Sequence, residues 1–281
     1  MKIIKTVSEM QQWVATVRAT AQTISFVPTM GFLHQGHVSL LEAGRQRGDQ
    51  LVLSIFVNPT QFGQGEDFED YPRDLQQDSQ LAATAGVDVI FAPTAKEMYP
   101  NGYATYVDVE GITETLCGAS RPGHFRGVCT VVSKLFNIIQ PQIAIFGNKD
   151  FQQLAVIKRM TTDLNLPVEI IGRPIFREPD GLAMSSRNVY LTAEQRVQAL
   201  VLSQSLARAK ELVATGQTAV ADIISQLKTE IDKRPAARID YVQICHQLTL
   251  QDQHTVDSDS VLLLAVYIGK TRLIDNGFLL D

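Results

Sequence analysis

The sequence predicts an α/β fold: a parallel sheet over the first two-thirds of the chain, then a smaller C-terminal α+β unit. Short apolar runs of strand length alternate with segments of helical spacing as far as residue 171, the pattern of a parallel sheet with crossover helices. A Gly- and acid-rich loop, residues 58–71, follows one of these runs, and ligands of open α/β sheets bind at the carboxyl ends of strands. After Asn188 the order changes to two helices followed by three strands.

Strands are expected at 24–27, 51–57, 87–91, 143–146 and 168–171, each dominated by Ile, Val, Leu or Phe. Helices are expected between them at 36–47, 73–85, 126–139 and 151–163. In the second unit, Thr192 with Gln195 three residues on reads as a capping box opening a helix through 212. A helix at 219–233 and strands at 239–245, 261–268 and 271–275 follow. The expected domains are 1–188 and 189–281.

A chain of 281 residues that is 45% hydrophobic and 20% charged has the composition of a soluble globular protein. A net charge of −5 argues against a general nucleic-acid surface. Cys117, Cys129 and Cys245 lie far apart without a C-x-x-C, which suggests neither a disulfide framework nor a zinc site and suits a reducing compartment. The amino-terminal stretch runs into Ser8-Glu9 and Gln11-Gln12 and does not read as a signal peptide. The apolar run 261–268 is too short to span a bilayer. The expectation is a cytoplasmic protein with no membrane and no nucleic-acid partner.

The stretch Pro28-Thr29-Met30-Gly31-Phe32-Leu33-His34-Gln35-Gly36-His37 joins a predicted strand to a predicted helix. Free N–H groups and the positive helix end favour an anion there, and without G-x-G-x-x-G spacing the anion is ATP rather than a dinucleotide. His34 and His37 add donors for charge on phosphate oxygens; they read equally as a helix cap and a surface residue. A metal role lacks a third ligand nearby in sequence. Phe146-Gly147-Asn148-Lys149-Asp150 follows a strand on the same sheet edge: Gly147 admits a ligand and Lys149 suits a phosphate, or Asp150 is simply a helix cap. The loop Asp180-Gly181-Leu182-Ala183-Met184-Ser185-Ser186-Arg187-Asn188 either folds over a triphosphate or is a polar interdomain turn. Asn58, Gln61, Gln152 and Gln153 offer amides suited to a small hydroxylated carboxylate, or are ordinary polar residues. His124, between Arg121 and Arg126, belongs to an anion site or a solvated turn, and His246 and His254 read as structural.

Several blocks resemble the pantoate–β-alanine ligase family. They are the His34-Gln35-Gly36-His37 turn, Phe56-Val57-Asn58-Pro59-Thr60-Gln61-Phe62, Tyr71-Pro72-Arg73 and Arg121-Pro122-Gly123-His124-Phe125-Arg126-Gly127. Lys149-Asp150-Phe151-Gln152-Gln153-Leu154, Met184-Ser185-Ser186-Arg187-Asn188 and Arg272-Leu273-Ile274-Asp275-Asn276 continue the series in family order. The resemblance implies a Rossmann-like nucleotidyltransferase domain binding ATP and pantoate, a smaller C-terminal domain, and a homodimer. It also implies the reaction: ATP and (R)-pantoate give pantoyl adenylate and pyrophosphate, and β-alanine then displaces AMP to form pantothenate, on the way to coenzyme A.

Carried over residue by residue, Met30, Gly31, Phe32, Leu33, His34, Gln35, Gly36 and His37 line the ATP site, with His37 the proton donor. Gly147, Asn148, Lys149, Asp150, Phe176, Met184, Ser185, Ser186 and Arg187 complete the ATP contacts; the last four stand where class I aminoacyl-tRNA synthetases carry their K-M-S-K-S loop. Gln61 and Gln153 match the pantoate-binding glutamines, and Asn58 joins them. His34, His37, Lys149 and Arg187 form the expected catalytic set, which with Mg²⁺ offsets the repulsion between pantoate and ATP. Asp78 or Asp74 is the expected holder of the metal through water. Closure of 58–71 and 184–188 is expected to shield the adenylate. Two residues depart from the family pattern: Asn148, where Glu is frequent, and Phe32, where a smaller residue or Asn is common. A cofactor adenylyltransferase would share the H-x-G-H turn without needing Gln61, Gln153 or the Arg121 block. A tRNA- or nucleotide-sensing module fits the acidic chain poorly.

Overall fold

A computed structural model describes residues 1–280. Its strands are β1 (Lys2–Ile4), β2 (Ile24–Thr29), β3 (Gln50–Ile55), β4 (Val89–Phe91), β5 (Ile143–Gly147), β6 (Glu169–Arg173), β7 (Ala237–His246), β8 (Ser260–Ile268) and β9 (Thr271–Phe278). Its helices are α1 (Val7–Ala19), α2 (Gln35–Arg45), α3 (Leu75–Thr84), α4 (Ala95–Met98), α5 (Cys117–Ser120), α6 (His124–Ile139), α7 (Phe151–Asp163), α8 (Ala193–Ala199), α9 (Val201–Ala214) and α10 (Val220–Asp232). Short 3-10 turns cover Pro59–Gln61, Asn148–Asp150 and Ser186–Tyr190.

The chain divides into two compact units. The first comprises Met1–Glu110, Arg121–Asn148 and Gln153–Pro174; the second comprises Gly111–Ser120, Lys149–Gln152 and Ile175–Asp281. The boundary expected at 188 falls inside the second unit, because the 176–184 hairpin is tied to β9. Arg177 forks onto Asp275 through two hydrogen bonds of 2.7 and 2.9 Å.

The first unit is built on a six-stranded sheet in the order β1-β4-β3-β2-β5-β6, with every pairing parallel. Phe26, Val27, Leu53, Ile90, Phe91 and Ile145 are all fully buried. Such runs, apolar on both faces, belong to strands covered from both sides. Burying each large side chain contributes about 1.5–3 kcal/mol. From β2 the chain builds outward through β3 and β4, whereas β5 and β6 lie on the other side. The register pairs Ser25 with Ile143 and Phe26 with Ala144. The β2/β5 junction is thus a topological switch point, where such sheets open a crevice for ligands.

The second unit packs α8, α9 and α10 with the antiparallel sheet β7-β8-β9. Leu206, Ile223, Leu227, Leu262, Leu264 and Val266 lie in its core. A register shift between Ile239 and Tyr241 bulges β7 at Asp240. Asp240 accepts from Arg272 (Nε 3.0 Å, Nη2 2.7 Å) and from the Ser120 hydroxyl (2.9 Å).

Every expected strand is present, with ends shifted by a few residues. β1 and α1 were not anticipated. β1 is three residues long with only Ile4 buried, so pairing with β4, not local pattern, defines it. α1 carried a readable signal, since Met10, Val14 and Val17 recur at helical spacing and are buried. The Thr192–Gln195 capping box forms, with bonds of 3.1 and 3.2 Å, but the helix expected through 212 breaks at Leu200 into α8 and α9. Among the described residues no helix is long and apolar enough to cross a membrane. The three cysteines are free. Burial pushes the Cys129 and Cys245 thiols up to about 12, with Asp108 and Asp252 adding to the rise.

Candidate active site

β2 ends at Thr29, whose hydroxyl donates to the Ser54 carbonyl (2.7 Å) and accepts from the Gly31 N–H (3.2 Å). The chain then turns sharply, with φ +87° at Gly31 and +51° at Phe32. A Cβ at position 31 would lie 2.9 Å from the Asp78 carboxylate, so both the backbone angle and the space demand glycine. Phe32 holds a left-handed conformation that suits Asn far better than an aromatic residue.

Asp78, reaching over from α3, fixes this turn. Its Oδ2 accepts from the Phe32 N–H (2.9 Å) and its Oδ1 from the Leu33 N–H (2.6 Å). The residue is 1% exposed. Burial pushes its carboxyl above the ordinary range, against the pull of the two backbone bonds. Asp74 is used as the cap of α3, accepting from the Gln77 N–H at 2.9 Å. Of the two carboxylates expected to hold a metal through water, Asp78 is turned onto the backbone of the H-x-G-H turn and Asp74 onto a helix end. Among the described residues no group of three His, Cys, Asp or Glu side chains is placed to cage a metal.

α2 starts directly after His34. The His37 N–H donates to the His34 carbonyl (2.8 Å), and the His34 N–H donates to His37 Nδ1 (3.3 Å). The two rings stack with centroids 4.0 Å apart. An Nδ1 that accepts carries no proton, so the neutral His37 ring bears its hydrogen on Nε2. That N–H and the positive end of an eleven-residue helix together favour an anion.

The second wall of this unit is the turn Pro59–Gln61, reached from β3. Gln61 Nε2 contacts Met30 Sδ at 3.2 Å, and its Oε1 accepts from Asn58 Nδ2 at 3.1 Å. Asn58 is buried, and its amide is fully engaged. Nδ2 also donates to the Gly127 carbonyl (3.2 Å), and Oδ1 accepts from the Thr60 hydroxyl (2.9 Å) and the Tyr99 hydroxyl (2.8 Å). Burial drives that Tyr99 phenol up to about 12, so it remains a donor. Asn58, expected among the substrate-binding amides, holds the side-chain oxygen of Gln61. His124 is neither an anion site nor a solvated turn: it is buried and bonded to the Gln61 carbonyl (2.8 Å). Gly147 and Asn148 leave the end of β5, half-buried, and Gln153 lies half-buried on α7.

The second unit holds the rest of the expected ATP set. The Lys149 backbone carbonyl accepts from Asn276 Nδ2 (2.8 Å), and its ammonium lies 4.0 Å from the Asp150 carboxylate. Gln152, grouped with the amide candidates, is structural: it is buried and bonds the backbone of Ile112, Thr115 and Cys117. Phe176 and Met184 face each other in a hairpin closed by the Met184 N–H to the Phe176 carbonyl (2.9 Å). Ser185 caps the turn that follows, its hydroxyl accepting from the Arg187 N–H (3.3 Å). Ser186 is buried and Arg187 half-buried. Asn188 donates to Glu178 (2.7 Å), and Arg196 forks between Glu178 and Asp180 (2.7 Å each).

The family model described as pantoate-beta-alanine ligase matches residues 2–278. The chain belongs to that family. A pantothenate synthetase from Syntrophotalea carbinolica is 57% identical over 281 residues, covering 100% of this chain and 99% of the relative. One from Heliobacterium modesticaldum is 58% identical over 276 residues, covering 98% of each. The crystal structure of pantothenate synthetase from Thermus thermophilus superposes with a TM-score of 0.95 at 45% identity, covering 100% of both chains. A pantoate-beta-alanine ligase structure from Francisella tularensis, complexed with beta-gamma ATP and beta-alanine, gives 0.84 at 35% identity, covering 100% of this chain and 98% of that one.

Sequence reading assigned no positioning role to the residues that hold these groups in place. Asp78 fixes the H-x-G-H turn, Asn276 anchors Lys149, and Asp275 with Arg177 anchors the hairpin. The block from Arg272 to Asn276 carried part of that signal, because its resemblance to the family had no chemistry assigned to it.

Proposed function

We propose that this chain condenses pantoate with β-alanine to pantothenate, using ATP and passing through an enzyme-bound pantoyl adenylate. The observation that carries the reading is the H-x-G-H turn at the carboxyl end of β2, beside the sheet's switch point, with a neutral His37 that carries its proton on Nε2 at the mouth of α2. Membership of the family and the Francisella tularensis ligase structure with beta-gamma ATP and beta-alanine support it.

In the first step the pantoate carboxylate attacks the α-phosphorus of ATP and pyrophosphate leaves. Two anions must meet, so charge on the phosphates has to be balanced. We assign that balance to the helix end of α2, His37 Nε2–H, Lys149 and Arg187. Magnesium bound with ATP would lower the charge that pantoate meets. Gln61 and Gln153 bind the pantoate hydroxyls and carboxylate through neutral amides. In the second step the β-alanine amine attacks the acyl carbon and AMP leaves. An amine with a pKa near ~10.4 is free in only about one molecule in a thousand at pH ~7.4, so a proton must be removed as it binds.

The resemblance supports a homodimer, which sedimentation at twice the chain mass would establish. The free cysteines suit the cytoplasm. The test of function is AMP production with each substrate omitted in turn. AMP should accumulate only when ATP, pantoate and β-alanine are all present, and AMP formed without pantoate would contradict the assignment.

A further inference from the structure

We infer that Glu66, Arg121 and His124 form a clamp that sets the orientation of Gln61 for pantoate, and that they are positioning residues for the ligation. The inference rests on the reading of Gln61 as a pantoate-binding residue.

Gln61 is the last residue of a one-turn segment, and its carbonyl accepts two hydrogen bonds, one from the first residue of α6 and one from the segment just before it. His124 Nδ1 donates at 2.8 Å and Arg121 Nη2 at 3.3 Å. Because Nδ1 donates to a carbonyl, His124 Nε2 is the unprotonated nitrogen, and it accepts from Arg121 Nη1 at 3.1 Å. The ring is therefore neutral: a proton on Nε2 would face the guanidinium N–H. Arg121 is held in turn by Glu66, with Nε to Oε1 and Nη2 to Oε2 both at 2.6 Å. This paired fork is the strongest geometry available to such a pair. Burial favours a neutral Glu66, but the bonds and charge of Arg121 outweigh it and hold the carboxyl below its ordinary range.

The clamp works because helix and turn touch. A Cβ at Gly127 would lie 2.6 Å from the Gln61 backbone nitrogen, and closer still to the Thr60 carbonyl. The block Arg121-Pro122-Gly123-His124-Phe125-Arg126-Gly127 thus supplies the clasp, its donor and the gap into which the turn fits. With the peptide of Gln61 fixed on one side, Asn58 and Met30 fix its side chain on the other. The amide that meets pantoate is therefore held against Met30, the residue that opens the H-x-G-H turn. Glu66 lies in the 58–71 loop, so the same fork ties that loop to the segment leading into α6.

The test compares four variants of the full-length enzyme by steady-state kinetics and thermal melting. His124→Leu and Glu66→Gln are expected to raise the pantoate KM by ~10-fold, the scale of one lost positioning bond. The ATP KM and the kcat at saturating pantoate should stay within about twofold. His124→Asn keeps a donor near the Nδ1 position and should recover most of the pantoate affinity. Gln61→Ala marks the ceiling of the effect. If Gln61→Ala raises the pantoate KM and His124→Leu does not, the clamp is wrong and the pantoate reading stands. If Gln61→Ala leaves the pantoate KM unchanged, the reading of Gln61 falls and the clamp falls with it. A His124→Leu enzyme that loses ATP and pantoate affinity equally, with a lowered melting temperature and no rescue by Asn, would reduce His124 to a packing residue and overturn the inference.

Discussion

Replacing His37 by alanine is expected to cut pantoate-dependent pyrophosphate release by about 10²–10³, the usual cost of one donor aimed at transition-state charge. The loss should fall on kcat, because charge on the leaving pyrophosphate develops during the reaction and is small in bound ATP. Folding should survive. The ring is half-buried at the first turn of α2, the His37 N–H keeps its bond to the His34 carbonyl, and water can satisfy the released His34 N–H. Lys149→Ala should behave alike. The Lys149 backbone is held by Asn276 through its carbonyl, so losing the ammonium removes charge without freeing the segment. Stopped-time pyrophosphate assays on variants that melt like the parent check both. Near-normal release by either folded variant would contradict the roles assigned to these side chains.

Asp78→Ala is expected to act on the fold and the chemistry together. Two backbone N–H groups, on Phe32 and Leu33, lose their acceptor inside the first unit. At about 1–3 kcal/mol for each unsatisfied buried donor, the penalty is about 2–6 kcal/mol. The left-handed turn at Gly31 and Phe32 then has nothing opposing its strain, and the histidines it delivers lose their placement. Asp78→Asn keeps one acceptor oxygen but points an amide N–H at the other donor, so it should recover only part of the loss. The pH dependence has a defined sign. The folded carboxyl lies above its unfolded value, so its contribution to stability is full below the unfolded pKa and fades as pH rises through the folded one. The gap in melting temperature between parent and Asp78→Ala should therefore narrow from acid toward neutral pH. Thermal melting with pyrophosphate assays at several pH values measures this, and an Asp78→Ala protein as stable and active as the parent would show that the turn holds itself.

The sheet was legible because buried parallel strands announce themselves as apolar runs. The runs around Phe26, Leu53 and Ile145 place β2, β3 and β5, and with them the switch point. β1 was not legible: three residues with one buried side chain become a strand only through pairing with β4. At the site, the groups proposed to meet substrate were legible in the sequence, since His37, Lys149 and Gln61 stand in blocks with a chemical meaning. It concealed the groups that position them. Asp78 lies 41 residues beyond His37 in a helix with no motif of its own, and Asn276 lies far from Lys149 along the chain. Asn58 and Gln152 were legible as amides suited to a substrate or as ordinary polar residues, but not as spent ones, because hydrogen-bond saturation depends on partners such as Gly127, Tyr99 and Cys117 that only the fold brings together.

The central claim is that pantoate is activated as an adenylate before β-alanine takes part. The direct measurement is exchange of labelled pyrophosphate into ATP, with enzyme, magnesium and pantoate present and β-alanine absent. A reversible adenylation predicts label in ATP that depends on pantoate and is suppressed in His37→Ala. Exchange that appears only when β-alanine is added, or that proceeds without pantoate, would contradict it.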